Sequence, residues 1–347
     1  MFEPKFEKLQ DEFGLRVAAA CPGIFKSPLW RVTPSRSVVT SLYPDMWQRF
    51  TNFEVFPDDV WVVTFPKCGT TWTQEMVWLI GNDCDFDTAK KKRLNERVPF
   101  IEFVAISRYT GPDGDTLQRC TDMPRPRFIK SHLPYELLPQ QLWTKKPKII
   151  YVARDPKDTA LSYYHHHRLW NGYTGTLDDF LEAFIQDALV YCPFWEHVLR
   201  FWELRDEPHV LFNTFEEMTQ DLGAVVRRTA DFMGRQLSDE QVSALCEHLS
   251  FSKMRENPAV NHEEGPPAES PVAAAAEATA AAAAEATVAA EAGGADGGDP
   301  ALRFMRRGKA GAWRQEMPAA FVDKFDRWTQ QKTAGTGFRV GVSGGHQ

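Results

Sequence analysis

The chain is poor in cysteine. It has six, at positions 21, 68, 84, 120, 192 and 246, scattered without paired spacing. That pattern excludes a zinc site or a disulfide framework and favours a reducing compartment. Nowhere does an uninterrupted apolar run reach the roughly 20 residues needed to span a bilayer. The first residues, MFEPKFEKLQDEFG, are charged and lack the apolar segment of a signal peptide. Positive charge is not in excess either: 40 Lys and Arg stand against 47 Asp and Glu, a net charge of −7, with a pI near 5.8. A general nucleic-acid binder shows the opposite balance, so any anion site has to be local. These absences point to a soluble, cytoplasmic chain with neither nucleic acid nor membrane as its partner. Also missing is Gly, four residues, then Gly-Lys-Ser/Thr. A P-loop kinase or NTPase needs that lysine and that magnesium-binding hydroxyl.

What is present begins with bulk. At 347 residues and 43% hydrophobic content the chain can bury a large core. An apolar run at 60–64 predicts a buried strand, and a helix is expected over 70–82. Phe128–Ile129 ends a short second strand, and KIIYVA at 148–153 is a third. Helices are expected over 158–169, 177–190, 193–206, 216–233 and 238–248, with a short strand at 209–212. Strands alternating with helices imply an α/β fold: one domain over 1–347, a central, mostly parallel sheet flanked by helices. Residues 1–50 read as peripheral, and the basic run Lys90 to Arg93 as a solvated face. The segment 263–300 stands apart. Its alanine block, Ala273 to Ala292, favours helix but has almost nothing large to pack with. It is expected to be a mobile, transiently helical insertion.

Four short segments carry chemistry, and ligands of such sheets sit beyond the carboxyl ends of the strands. In WVVTFPKCGTTW, strand, glycine-containing turn and helix start converge, so free backbone N–H groups and the positive helix end face one small volume. Lys67 adds a charged donor, and Thr70 and Thr71 add hydroxyls. In VARDPKDTALS, Arg154 ends a buried strand, where its guanidinium can fork onto a phosphate, and Ser162 follows on the next helix. FMRRGKAGAW, 304–313, is a basic glycine-containing loop. In FIKSHLP, Lys130 and His132 point the same way along an extended segment, and a histidine near neutrality can serve as general base. Singly, each has a credible structural reading: a βα turn, a strand-end ion pair, a solvated basic turn and a structural histidine. Three separate basic loops on an acidic protein are harder to explain that way. The histidines 165–167 are consecutive on a helix and face different directions, which disfavours a metal site.

FPKCGTTW, KSHLP, VARDPKDTALSYYH, NPAVN and FMRRGKAGAW, in this order, resemble the cytosolic sulfotransferases over about residues 40 to 330. That family transfers a sulfuryl group from 3′-phosphoadenosine 5′-phosphosulfate (PAPS) to a hydroxyl or amine of a small acceptor, with no metal required. The resemblance implies that Lys67, Cys68, Gly69, Thr70, Thr71 and Trp72 wrap the 5′-phosphosulfate, with Trp72 stacked on the adenine. It implies that Arg154 and Ser162 meet the 3′-phosphate together with the late loop, Phe304, Met305, Arg306, Arg307 and Gly308. Leu249, Ser250, Phe251 and Met254 match a nucleotide-contacting segment. His132 matches the catalytic base, and Lys130 and Lys67 the lysines that offset charge on the transferred and leaving groups. Phe100 and Phe103 match the aromatic wall of the acceptor pocket.

Departures from the family pattern are specific. Cys68 stands where Ser is common, and the neighbouring Lys67 charge is expected to favour its thiolate. Phe215 replaces a Tyr that reaches the adenine, and Leu249 replaces a Thr; both changes remove a hydrogen bond. His166 stands where an aromatic lines the acceptor site, which implies a more polar acceptor. The family's dimer motif reads Arg314, Pro318, Ala319 and Asp323 here, and proline removes a backbone donor, so that dimer mode is not expected. The expected function is transfer of a sulfuryl group to a small, largely apolar hydroxylated acceptor. The alternative is a non-catalytic protein that keeps the nucleotide cradle, although such a protein has no chemical need of His132, Lys130 and Lys67.

Overall fold

The computed structural model describes residues 3–22, 28–106, 114–263 and 303–341. The insertion at 263–300 lies outside them apart from Glu263. Four strands, β4 (Val60–Thr64), β5 (Phe128–Ser131), β6 (Lys148–Ala153) and β7 (Val210–Thr214), form an all-parallel sheet in the order β5-β4-β6-β7. Val60 pairs with Phe128 and Lys148, and Ala153 with Thr214. Every residue of β4 and β7 is buried, as expected of parallel strands covered on both faces.

Alternation along each strand divides the core. Trp61, Val63, Ile149, Tyr151 and Phe212 enter one cluster, whereas Val60, Val62, Ile150, Val152 and Leu211 enter the other. Each such side chain contributes about 1.5–3 kcal/mol on burial. The helix Thr70–Gly81 lies on the second face and is buried almost all round, from Met76 to Ile80. On the first face Phe65 meets Tyr163, Phe184 and Phe194 edge-on at 5.9, 5.8 and 5.1 Å. Such pairs add about 0.5–1.5 kcal/mol each, and here they anchor the chain directly before the Pro66–Gly69 turn.

Several expectations need correction. Residues 1–50 are not peripheral. Within them β1 (Lys5–Lys8), β2 (Trp30–Thr33) and β3 (Val38–Val39) form an antiparallel sheet. Val32, Val38 and Phe50 are fully buried in the main core, and Val38 exchanges backbone hydrogen bonds of 2.8 Å with Tyr191 and Cys192. Strands of two to four residues leave too little periodicity to read. β5 continues through Lys130 to Ser131 because residues 99–101 pair along its outer edge: Lys130 N–H donates to the Pro99 carbonyl and Ile101 N–H to that of Lys130. The helix expected over 177–190 stops at Ile185, and 216–233 is two helices, Phe215–Gln220 and Leu222–Met233, parted at Asp221, whose side chain caps the second.

Candidate active site

A cavity of about 390 Å³ opens beyond the carboxyl ends of β4, β5, β6 and β7, within the range of small-ligand sites. Around it the structure gathers Lys67, Gly69, Thr70, Thr71 and Trp72 from the first turn; Lys130 and His132; Arg154, Ser162 and His166; and Phe100, Phe103 and Phe215. Leu249, Phe251 and Met254 join them, as do Phe304, Met305, Arg306, Arg307 and Gly308. Segments as far apart in the chain as Lys67 and Gly308 thus share one volume.

Two expected residues do not line it. Ser250 instead caps the helix Phe251–Glu256, its Oγ accepting from the Lys253 N–H at 3.4 Å. Cys68 is fully buried, with its Sγ 3.6 Å from Thr159 Oγ1. Burial pushes its thiol up to about 12 and outweighs the Thr159 hydrogen bond and the positive Arg154, so the expected thiolate is not favoured.

The turn itself is constrained. Gly69 has φ +98° and precedes the helix, a conformation that favours glycine. Lys67 holds φ +68° without that freedom; strain of this kind costs on the order of 1–3 kcal/mol and clusters at functional sites. Arg154 braces the turn: one of its terminal nitrogens donates to the Lys67 carbonyl at 3.0 Å, and its guanidinium lies 4.1 Å over the Phe215 ring. Phe215 in turn meets Trp72 edge-on at 5.7 Å. The Phe215 ring therefore serves as a platform for Arg154 as well as a neighbour of Trp72. On the late loop, Gly308 has φ +60°, and a Cβ there would fall 2.1 Å from Phe251.

The cations crowd one another. Lys67 is lowered to about 7, first by burial and then by Lys130, Arg154 and Arg306. Its Nζ rests 3.9 Å over the Phe304 ring, and Lys130 Nζ rests 4.0 Å over Phe100. Burial lowers Lys130 to about 8. Arg154 Nε and Trp72 Nε1 are buried without a hydrogen-bond partner. Clustered, partly unsatisfied cationic donors fit a multiply charged anion such as a nucleotide phosphosulfate.

His132 is held at three points. Its backbone N–H donates to Glu102 Oε1 at 2.5 Å, its carbonyl accepts from His197 Nε2 at 3.0 Å, and its Nδ1 lies 2.8 Å from the Thr64 carbonyl. The Thr64 hydroxyl lies farther from the same nitrogen, at 3.2 Å; the carbonyl only accepts, so the shorter contact is a hydrogen bond only with the proton on Nδ1, the tautomer that leaves the lone pair on Nε2. Burial and the positive Lys130 hold the imidazole well below its ordinary value, hence neutral. Glu102 is raised to about 7 by its own burial. Thr64, Glu102, His197 and Tyr191, whose ring lies 5.6 Å from that of His132, escaped the sequence reading. Their partners lie 30 to 68 residues away along the chain, and no local pattern signals such pairings.

Of the three consecutive histidines, His166 faces the cavity and is held well below its ordinary value by burial, with Lys67 nearby. His167 bonds the Tyr163 carbonyl and is structural. His165 pairs with Glu316, a contact outside the sequence reading. Among the described residues no group of three or more His, Cys, Asp or Glu is placed to hold a metal. Arg93, read as part of a solvated run, is exposed but lies at the cavity rim.

Known proteins resemble this chain in sequence and fold. A model of the sulfotransferase domain matches residues 57–276. Luciferin sulfotransferase of Photinus pyralis is 37% identical over 309 residues, 85% of this chain and 77% of the relative. Sulfotransferase 1C2 of Rattus norvegicus is 32% identical over 294 residues, 84% of this chain and 88% of the relative. Retinol dehydratase, solved in complex with androsterone and the inactive cofactor PAP, superposes with a TM-score of 0.79 at 29% identity, over 97% of this chain and 98% of that one. The chain belongs to the sulfotransferase family, the PAPS-dependent enzymes that its motifs resemble.

Proposed function

We propose that this enzyme moves the sulfuryl group of PAPS to the hydroxyl of a small, largely apolar acceptor in the cytoplasm, with His132 as general base. The observation that carries the reading is a buried imidazole whose Nδ1 lies against the Thr64 carbonyl, in the same cavity as Lys67 and Lys130; that contact favours the tautomer with the lone pair on Nε2. In this reading Nε2 takes the acceptor proton as the oxygen attacks sulfur. The sulfur–oxygen bond to the phosphate breaks, and adenosine 3′,5′-bisphosphate (PAP) leaves. Lys67 and Lys130 offset the charge that builds on the peripheral and bridging oxygens; positioning and electrostatics dominate such transfers. The first turn would hold the phosphosulfate, and Arg154, Ser162, Arg306 and Arg307 the 3′-phosphate. Phe100, Phe103 and His166 would line the acceptor end. Support for the location comes from six unpaired cysteines and from the absence, among the described residues, of any helix long and apolar enough to cross a membrane. Incubation with labelled PAPS and a panel of phenols, steroids, retinoids and catechols tests the reading. Label on at least one hydroxyl is expected. Tight PAP binding without transfer to any acceptor would favour the non-catalytic alternative.

The crowded cations predict a pH dependence of donor binding. Free Lys67 loses its proton near pH 7 and Lys130 near 8. A bound anion favours the ammonium forms and raises both values. Binding above pH 7 therefore takes up protons, and affinity for PAP falls as pH rises through 7 and 8. Titration calorimetry in buffers of different ionisation enthalpy measures this directly. Proton release, or affinity that rises with pH, would contradict it.

A further inference from the structure

The helix Pro156–Asn171 carries Asp158, Ser162 and His165 at spacings of four and three, hence on one face. That face docks the late loop. The two carboxylate oxygens of Asp158 accept from the backbone N–H groups of Gly311 and Trp313 at 2.6 and 2.8 Å. Three residues beyond Trp313 stands Glu316. One of its oxygens accepts from Arg306 at 2.8 Å and lies 3.6 Å from Arg307, while the other pairs with His165. Burial alone would raise the Glu316 carboxyl, but the hydrogen bonds from His165 and Arg306 outweigh it and hold the group down to about 2.

We infer that Glu316 is a positioning residue for recognition of the donor's 3′-phosphate: it sets the Arg306 and Arg307 side chains before the donor arrives. This rests on the reading that those two arginines contact that phosphate. A guanidinium offers five N–H donors, and Glu316 engages Arg306 through a single nitrogen, so the side chain is oriented while donors remain for a ligand. Long side chains lose rotamer freedom when a ligand fixes them. Fixing them in the free protein moves that loss out of the binding step. Each immobilised side chain is worth roughly two- to tenfold in affinity.

The test uses the full chain and two probes, adenosine 3′,5′-bisphosphate and adenosine 5′-monophosphate, which lacks the 3′-phosphate. Glu316→Gln is expected to weaken the bisphosphate roughly tenfold and to leave the monophosphate unchanged. An equal loss for both would show a merely structural role, and no loss for either would show that the arginines need no setting; each overturns the inference. If Glu316→Gln does not fold, Glu316→Asp, which keeps the charge but shortens the reach, is measured for the same differential. A wild-type protein that binds both probes equally would instead overturn the 3′-phosphate reading itself.

Discussion

Alanine at position 132 is expected to lower turnover by about 10²–10⁴-fold, the usual contribution of a general base, while PAP affinity stays near wild type. The reason is positional. His132 is bonded to Thr64, Glu102 and His197 rather than to the turn or the late loop. Its imidazole lies well below the ordinary histidine value of 6.5. The sign follows: the neutral, competent form persists as pH falls through that value, so the acid limb of the rate profile lies below it. Single-turnover rates over a pH series, beside PAP titrations of the variant, check both parts. Near-wild-type turnover in His132→Ala would remove the assignment. An acid limb at 6.5 would show that the burial in this structure does not govern its titration.

The second large effect concerns Arg154. Its guanidinium bonds the Lys67 carbonyl, rests on Phe215 and keeps Nε without a partner. Charge-assisted hydrogen bonds contribute about 1.5–3 kcal/mol, so Arg154→Ala should weaken PAP by about tenfold or more. A nucleotide without the 3′-phosphate should lose less, the remainder reflecting the lost brace on the turn. Equal losses for the two nucleotides would make Arg154 a support of the turn and nothing else.

The legible parts of this protein are those that local rules govern. VWVVT and KIIYVA read as buried strands because parallel strands need apolar residues on both faces. The turn at 66–69 reads as an anion cradle because glycine and a helix start announce themselves in a few residues. The three basic loops were visible for the same reason, and the structure brings all three to one cavity. The N-terminal strands were not legible, since β3 spans only Val38–Val39, pairs with β2 on one side and is hydrogen-bonded through Val38 to the distant Tyr191 and Cys192 on the other.

By itself the sequence determined the alternation of strand and helix, the cradle, and the identities of its lysines, arginines and histidine, because these depend on residue type and short spacing. Only the tertiary structure decided the states of those groups. Cys68 is a buried thiol rather than a thiolate, burial and neighbouring cations lower Lys67, and Ser250 is a helix cap. His132 carries its proton on Nδ1, and Arg306 leans on Glu316. Burial and long-range partners set charge, tautomer and orientation, and neither is encoded in any local window of the chain.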